Sequence, residues 1–128
     1  MIKINFAPEE GKLSFPAQRR LHHSYEFDGI FKQGVLHRNE LFFIRKLETK
    51  SSHSRLGVII PRKVGNAVTR NRLRRHIREC FRHTVPFDVG TDILVSMGRK
   101  MNPLMEQRFQ KQLRPSMEKI MHHNECVS

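Results

Sequence analysis

Between Asn66 and Arg82 one segment carries two incompatible surfaces, and a helix is the fold that separates them. At roughly 100° per residue, Leu73, Ile77, Cys80, Phe81 and Thr84 fall within an arc of about 100°. Asn71, Arg74, Arg75, Arg78 and Arg82 fall in a second arc pointing away from it. Arg72 flanks the cationic arc, and Arg70 lies near the apolar stripe at the N-terminal end. Such a helix needs apolar packing behind it and anions in front. Arg74 with Arg78, and Arg78 with Arg82, are like-charge pairs at i, i+4, and only Glu79, paired with Arg75 or Arg82, relieves them. At the helix start, Gly65-Asn66 follows Arg62-Lys63. Free backbone N–H groups and the positive end of the helix dipole therefore stand beside two cations, an end suited to anions.

The charge is local. The chain has 128 residues, 24 Lys and Arg against 12 Asp and Glu, and a net charge of +12. Arg62, Lys63, Arg70, Arg72, Arg74, Arg75, Arg78 and Arg82 against the single Glu79 give the window from 62 to 82 a charge of +7. Hydrophobic residues make up 38%, enough for one core. A domain that tolerates this self-repulsion points to a polyanionic partner. No apolar run approaches the length of about 20 residues that spans a bilayer. The N-terminus has no apolar signal core, so a cytoplasmic protein is expected. Cys80 and Cys126 form no metal or disulfide pattern.

The rest of the chain supplies the packing for that helix. Residues 1–20 read as an irregular segment, 21–121 as one domain and 122–128 as a flexible tail. Ser24 is expected to cap a helix from Tyr25 to Gln33, with Phe27, Ile30 and Phe31 on one face and Gly34 as a left-handed terminus. Val35-Leu36 and Leu41 to Leu47 read as strands. The polar stretch Glu48 to Ser54 suits a hairpin loop before Leu56 to Ile60, which Pro61 closes. Ile93-Leu94-Val95 centres a further strand. Asn102 and Pro103 open a last helix, in which Pro115 should cause a kink or a break into two short helices. The expected architecture is an α+β sandwich with the helices on one face of a small sheet.

Phe27, Phe31, Phe42 and Phe43 lie on the first helix and the adjoining strand, and alternation puts Phe42 and Phe43 on opposite faces. Rings beside cations suit stacking with unpaired bases, and packing in the core is the competing use. No catalytic set emerges. His22-His23 and His122-His123 are adjacent and cannot share a helix face as zinc ligands do. The acids, Asp28, Asp88 and Asp92 among them, are scattered and do not suit a two-metal nuclease. No metal site and no organic cofactor is expected in the protein itself.

From Arg55 to Arg75 the sequence reads Arg-Leu-Gly-Val-Ile-Ile-Pro-Arg-Lys-Val-Gly-Asn-Ala-Val-Thr-Arg-Asn-Arg-Leu-Arg-Arg, which resembles the protein subunit of bacterial ribonuclease P. The likeness runs from about Leu21 to Ile120 and includes the first helix and Arg99-Lys100. It implies an α-β-β-β-α-β-α sandwich with a small mixed sheet and a left-handed βαβ crossover, an exception to the usual hand. It also implies that a large RNA subunit is the catalyst, that it binds the Mg²⁺, and that it removes the 5′ leader from precursor tRNA. By position, Arg62, Lys63, Arg70, Asn71, Arg72, Arg74, Arg75 and Arg78 should meet the catalytic RNA. Phe27, Phe31, Phe42, Arg45 and Arg99 should line a cleft for the leader, with Lys63 between the two surfaces. Arg45 stands where many relatives carry tyrosine, and Met97-Gly98 and Pro115 are further departures.

Two functions compete. One is a monomeric subunit in a 1:1 complex with the ribonuclease P RNA, assisting endonucleolytic tRNA maturation. The other is a general or ribosomal RNA-binding protein without a role in cleavage. A DNA-binding regulator is disfavoured because strands, not a helix-turn-helix partner, flank the arginine helix. A membrane-surface role is disfavoured because its apolar face lacks an aromatic inserting edge.

Overall fold

A computed structural model describes residues 19–122 apart from 22. The expected irregular segment at 1–18 and most of the tail, 123–128, lie outside the described residues. The order is α1 (Ser24–Gln33), β1 (Val35–Arg38), β2 (Phe43–Glu48), β3 (Arg55–Ile59), a short 3-10 turn (Arg62–Val64), α2 (Ala67–Thr84), β4 (Thr91–Ser96) and α3 (Pro103–Met121). The chain is an α+β protein with three helices on a four-stranded mixed sheet.

The strands lie in the order β1-β2-β4-β3. β1 and β2 form the antiparallel hairpin, β2 pairs antiparallel with β4, and β3 runs parallel to β4. The Glu48–Ser54 stretch is therefore not a hairpin loop, as its composition suggested. It carries the chain past the place that β4 later fills, and α2 is the crossover that returns β4 there.

The helices do not share one face, which corrects the expectation. Leu73, Ile77 and Phe81 of α2 and Phe109, Leu113 and Met117 of α3 pack with Ile44, Leu56, Ile93 and Val95 on one side of the sheet. Ile30 of α1 packs with Leu21 and Leu94 on the other, joined by Phe27 and Leu47. β4 is covered on both sides, and that is why Ile93-Leu94-Val95 is a continuous apolar run. β2 alternates instead, with Ile44 buried between exposed Phe43 and half-buried Arg45.

Local chemistry sets the element ends. Asn66 accepts from the Thr69 amide and Asn102 from the Met105 amide, each at 2.8 Å, so α3 begins after the cap expected of it and α2 starts one residue after Asn66, which caps it. α1 starts one residue earlier than expected, because the Glu26 carboxylate accepts from the His23 backbone N–H at 3.1 Å. Gly34 is extended, at φ −75°, and not left-handed. Glycine is needed there for room: a Cβ would stand 2.6 Å from the Ile30 carbonyl oxygen and 3.0 Å from that of Lys46. α3 runs through Pro115 without dividing into two. Pro115 lies on the exposed side, where water can satisfy the carbonyl that its missing N–H leaves over.

Candidate nucleic-acid interface

The arginines of α2 separate into three environments. Arg72 is engaged: its Nε and Nη2 donate to Glu106 of α3 at 2.6 and 3.0 Å. Arg70 turns back on the helix start, where Nε donates to the Gly65 carbonyl at 3.0 Å. Arg82 bonds Glu79 at 2.7 Å, leaving Arg75 without that partner. Arg74, Arg75 and Arg78 make no ion pair with a carboxylate among the described residues.

Arg78 marks the centre of this surface. Burial, and then the charges of Arg20, Arg74 and Arg75, push its guanidinium down to about 10. Arg20 is brought there by a bridge to Leu56 that lays residue 20 along β3. Arg74 is lowered by burial and by Arg70. Four cations face one another here, and Arg74, Arg75 and Arg78 have no carboxylate partner among the described residues, a potential that an added anion relieves. Asn71 is exposed on the same helix. Arg62 and Lys63 are exposed on the turn before α2. That turn is tied to the chain after β4, since the Met101 N–H donates to the Val64 carbonyl at 2.9 Å. Lys63 accordingly lies against Gly98, beside Arg99 and Lys100.

The opposite face of the sheet holds the rings. Phe31 is 47% exposed on α1, and Phe43 is 38% exposed on β2. Arg45 lies between them, its guanidinium carbon 4.5 Å from the Phe31 centroid and 5.9 Å from that of Phe43. Phe27 is half-buried against Gly57, where a Cβ would stand 2.8 Å from its ring. Gly57 thus lets α1 approach the sheet. Arg99 stands apart from these rings, with Nη1 donating to the Glu40 carbonyl of the β1–β2 turn at 3.2 Å.

Phe42 does not belong to this face. It is 2% exposed and meets Phe109 edge-on at 5.6 Å, within the α2–α3 core. Adjacent strand residues point to opposite faces, so burying Phe42 delivers Phe43 to the surface. Phe43 takes the place expected of Phe42. Arg38 was also missed. It lies directly across from Phe43 in the β1–β2 register, and its guanidinium carbon is 5.9 Å from that ring. The signal that would find it is the β1–β2 pairing, which the short turn Asn39-Glu40-Leu41-Phe42 between the strands permits.

Among the described residues, no group of three or more His, Cys, Asp and Glu side chains is arranged to hold a metal ion. Asp92 and Glu26 are both taken up by Arg55. No described helix is long and apolar enough to cross a membrane.

Known proteins are similar to this chain in sequence and fold. The Ribonuclease P family profile matches residues 15–121. The chain is 37% identical over 97 residues to the ribonuclease P protein component of Thermotoga petrophila, covering 73% of this chain and 81% of that one. It is 32% identical to that of Macrococcus caseolyticus over 110 residues, covering 85% and 96%. The solved RNase P protein of Staphylococcus aureus superposes with a TM-score of 0.63 at 29% identity, over 80% of this chain and 92% of that one. The Thermotoga maritima RNase P protein gives 0.60 at 32% identity, over 79% and 93%. A profile match across the folded domain, relatives alike over most of their length and a shared fold make this chain a member of the ribonuclease P protein component family.

Proposed function

We propose that the chain is the protein subunit of a ribonucleoprotein that removes the 5′ leader of precursor tRNA, one protein to one RNA subunit. The family implies an RNA partner and a part in an endoribonuclease. The observation that carries the finer reading is the Arg74, Arg75 and Arg78 surface, which collects cations around a half-buried guanidinium and, among the described residues, pairs none of these three with a carboxylate. A sugar–phosphate backbone neutralises such a surface, and the counterions it sheds drive the association.

In this reading the two sides of the sheet divide the work. Arg70, Asn71, Arg74, Arg75 and Arg78, with Arg62 and Lys63, dock on the catalytic RNA. Phe31, Phe43 and Arg45, with Phe27 beneath, receive the single-stranded leader by stacking and charge. Arg99 continues that path at the β1–β2 turn. Arg72, held by Glu106, orients α3 against α2 and offers its remaining donor edge to the RNA.

Among the described residues no acids are grouped to hold a metal ion, and in this reading the RNA subunit holds the Mg²⁺. The protein contributes by screening the repulsion between two RNAs and by holding the leader. Reconstitution with the cognate RNA tests this. Cleavage at low Mg²⁺ should need both components. Cleavage by the protein alone, or no change in Mg²⁺ requirement on adding it, overturns the reading. RNA binding without any effect on cleavage would favour the general RNA-binding alternative.

A further inference from the structure

The ring-bearing face carries a second cationic pair that the reading above leaves unassigned in part. Arg38 and Phe43 are register partners across β1 and β2, and Arg45 is paired with Leu36 one step along the same face. Alternation sends Arg38, Phe43 and Arg45 out of the same side of the sheet. Both guanidinium carbons stand 5.9 Å from the Phe43 centroid, one across the ladder and one along the strand. Arg45 is further fixed by Phe31 at 4.5 Å.

Neither arginine has a carboxylate partner among the described residues. Glu40, in the turn that joins β1 to β2, is held by Arg108 at 3.0 Å. Burial, and then the charge of Arg38, lower Arg45 below its usual value. The two charges are therefore close enough to repel. Cation–π contact with the rings holds the guanidinium groups without using up their hydrogen-bond donors, leaving N–H groups for a ligand. A base edge offers neutral acceptors and does not relieve the repulsion. A phosphodiester offers two non-bridging oxygens and one negative charge, and it does.

Resting on the reading that this face takes the leader, we propose that Arg38 and Arg45 together grip one phosphodiester of that strand, at a fixed linkage, while Phe31 and Phe43 receive the neighbouring bases. Arg38 is thereby a positioning residue for the leader, and the grip at this point depends on charge and spacing more than on base identity.

The test uses the reconstituted holoenzyme and precursor tRNAs whose leader phosphodiesters are replaced one at a time by neutral methylphosphonates. For the unaltered protein, one linkage should stand out, with affinity reduced about fivefold, as for an exposed charge pair at the upper end of its range. An Arg38→Gln, Arg45→Gln variant should bind the unmodified substrate more weakly and show no further loss at that linkage. Arg38→Lys with Arg45→Lys should recover part of it. Equal losses in wild type and variant at every linkage overturn the proposal. So does coupling of Arg45 to the identity of one base in place of a phosphate. If the wild-type holoenzyme binds leader-bearing and leaderless tRNA equally, the leader reading itself fails, an outcome distinct from the other two. Melting temperatures of the variants, expected to stay close to wild type at exposed Arg38 and half-buried Arg45, exclude misfolding.

Discussion

Arg55 and Asp92 are register partners in the parallel ladder, and the guanidinium of Arg55 closes both oxygens of the buried Asp92 carboxylate, Nε to Oδ1 at 3.1 Å and Nη2 to Oδ2 at 2.9 Å. Its remaining nitrogen, Nη1, reaches Glu26 of α1 at 2.6 Å. The hydrogen bonds to Asp92, foremost, and those to Glu26 raise Arg55 above its usual value against the opposing effect of burial. Arg55 thus ties the first helix to the two strands beneath it. Arg55→Met should cost about 3 kcal/mol in urea unfolding, because Asp92 is left buried and unpaired. Asp92→Asn should recover part of that loss in the double variant. A raised Arg pKa stabilises at every pH below the ordinary arginine value, far above neutrality. The cost should therefore be the same at pH 6 and pH 8, and a pH-dependent cost would show that another group dominates.

Phe42 and Phe43 should separate stability from leader binding. Phe42→Ala removes a buried ring from the α2–α3 core and should cost about 3–4 kcal/mol. Phe43→Ala removes a part-exposed ring and should leave the unfolding midpoint nearly unchanged. The same substitution should reduce the affinity difference between leader-bearing and leaderless tRNA, with roughly 1 kcal/mol lost from a single stacked base. The reverse pattern would mean that the two rings are exchanged between faces.

Arg78 should trade stability for affinity. Its pKa is pushed down to about 10, so at neutral pH it remains charged and the folded chain carries the cost of its burial and of the repulsion. That penalty is fully present below the folded value and is relieved only as the pH rises through it. Arg78→Met should therefore raise the melting temperature of the free protein at pH 7. It should also lower the slope of log affinity for the RNA subunit against log salt by about 0.7–0.9, the share of one phosphate contact. Loss of stability with an unchanged slope would place Arg78 in a structural role.

Glu106 should control part of the acid limb. The hydrogen bond from Arg72 holds its carboxyl below the usual value, against burial that opposes the shift. A depressed carboxyl contributes stability above its unfolded pKa and loses it as the pH falls through the folded one. Urea midpoints should decline below about pH 4.5. Glu106→Gln should flatten that decline while lowering the midpoint at pH 7. An identical acid limb in the variant would exclude the Arg72–Glu106 pair as its source.

Much of this protein was legible before any coordinates. The face assignment of α2 follows from 3.6-residue periodicity alone. Leu73, Ile77, Cys80 and Phe81 are buried, and the arginines lie on other faces. The cap Asn102 acts within three residues, so its chemistry is visible in the letters. The misses are non-local. The order β1-β2-β4-β3 depends on where α2 returns the chain, and Glu48–Ser54 carries no record of it.

The sequence by itself determined the amphipathic arginine helix, the strand segments and the concentration of charge, because each is set by residues within a turn or two of one another. Tertiary structure decided which side of the sheet received α1, and that choice separated the ring face from the arginine face. It decided that Phe42 went inward and Phe43 outward, since strand alternation fixes only that the two differ and packing against Phe109 selects which one is buried. It also decided that Arg72 met Glu106, 34 residues away, while Arg74, Arg75 and Arg78 met no acid at all among the described residues. Periodicity can place a charge on a surface. Only the packing of distant elements determines whether that charge is already answered.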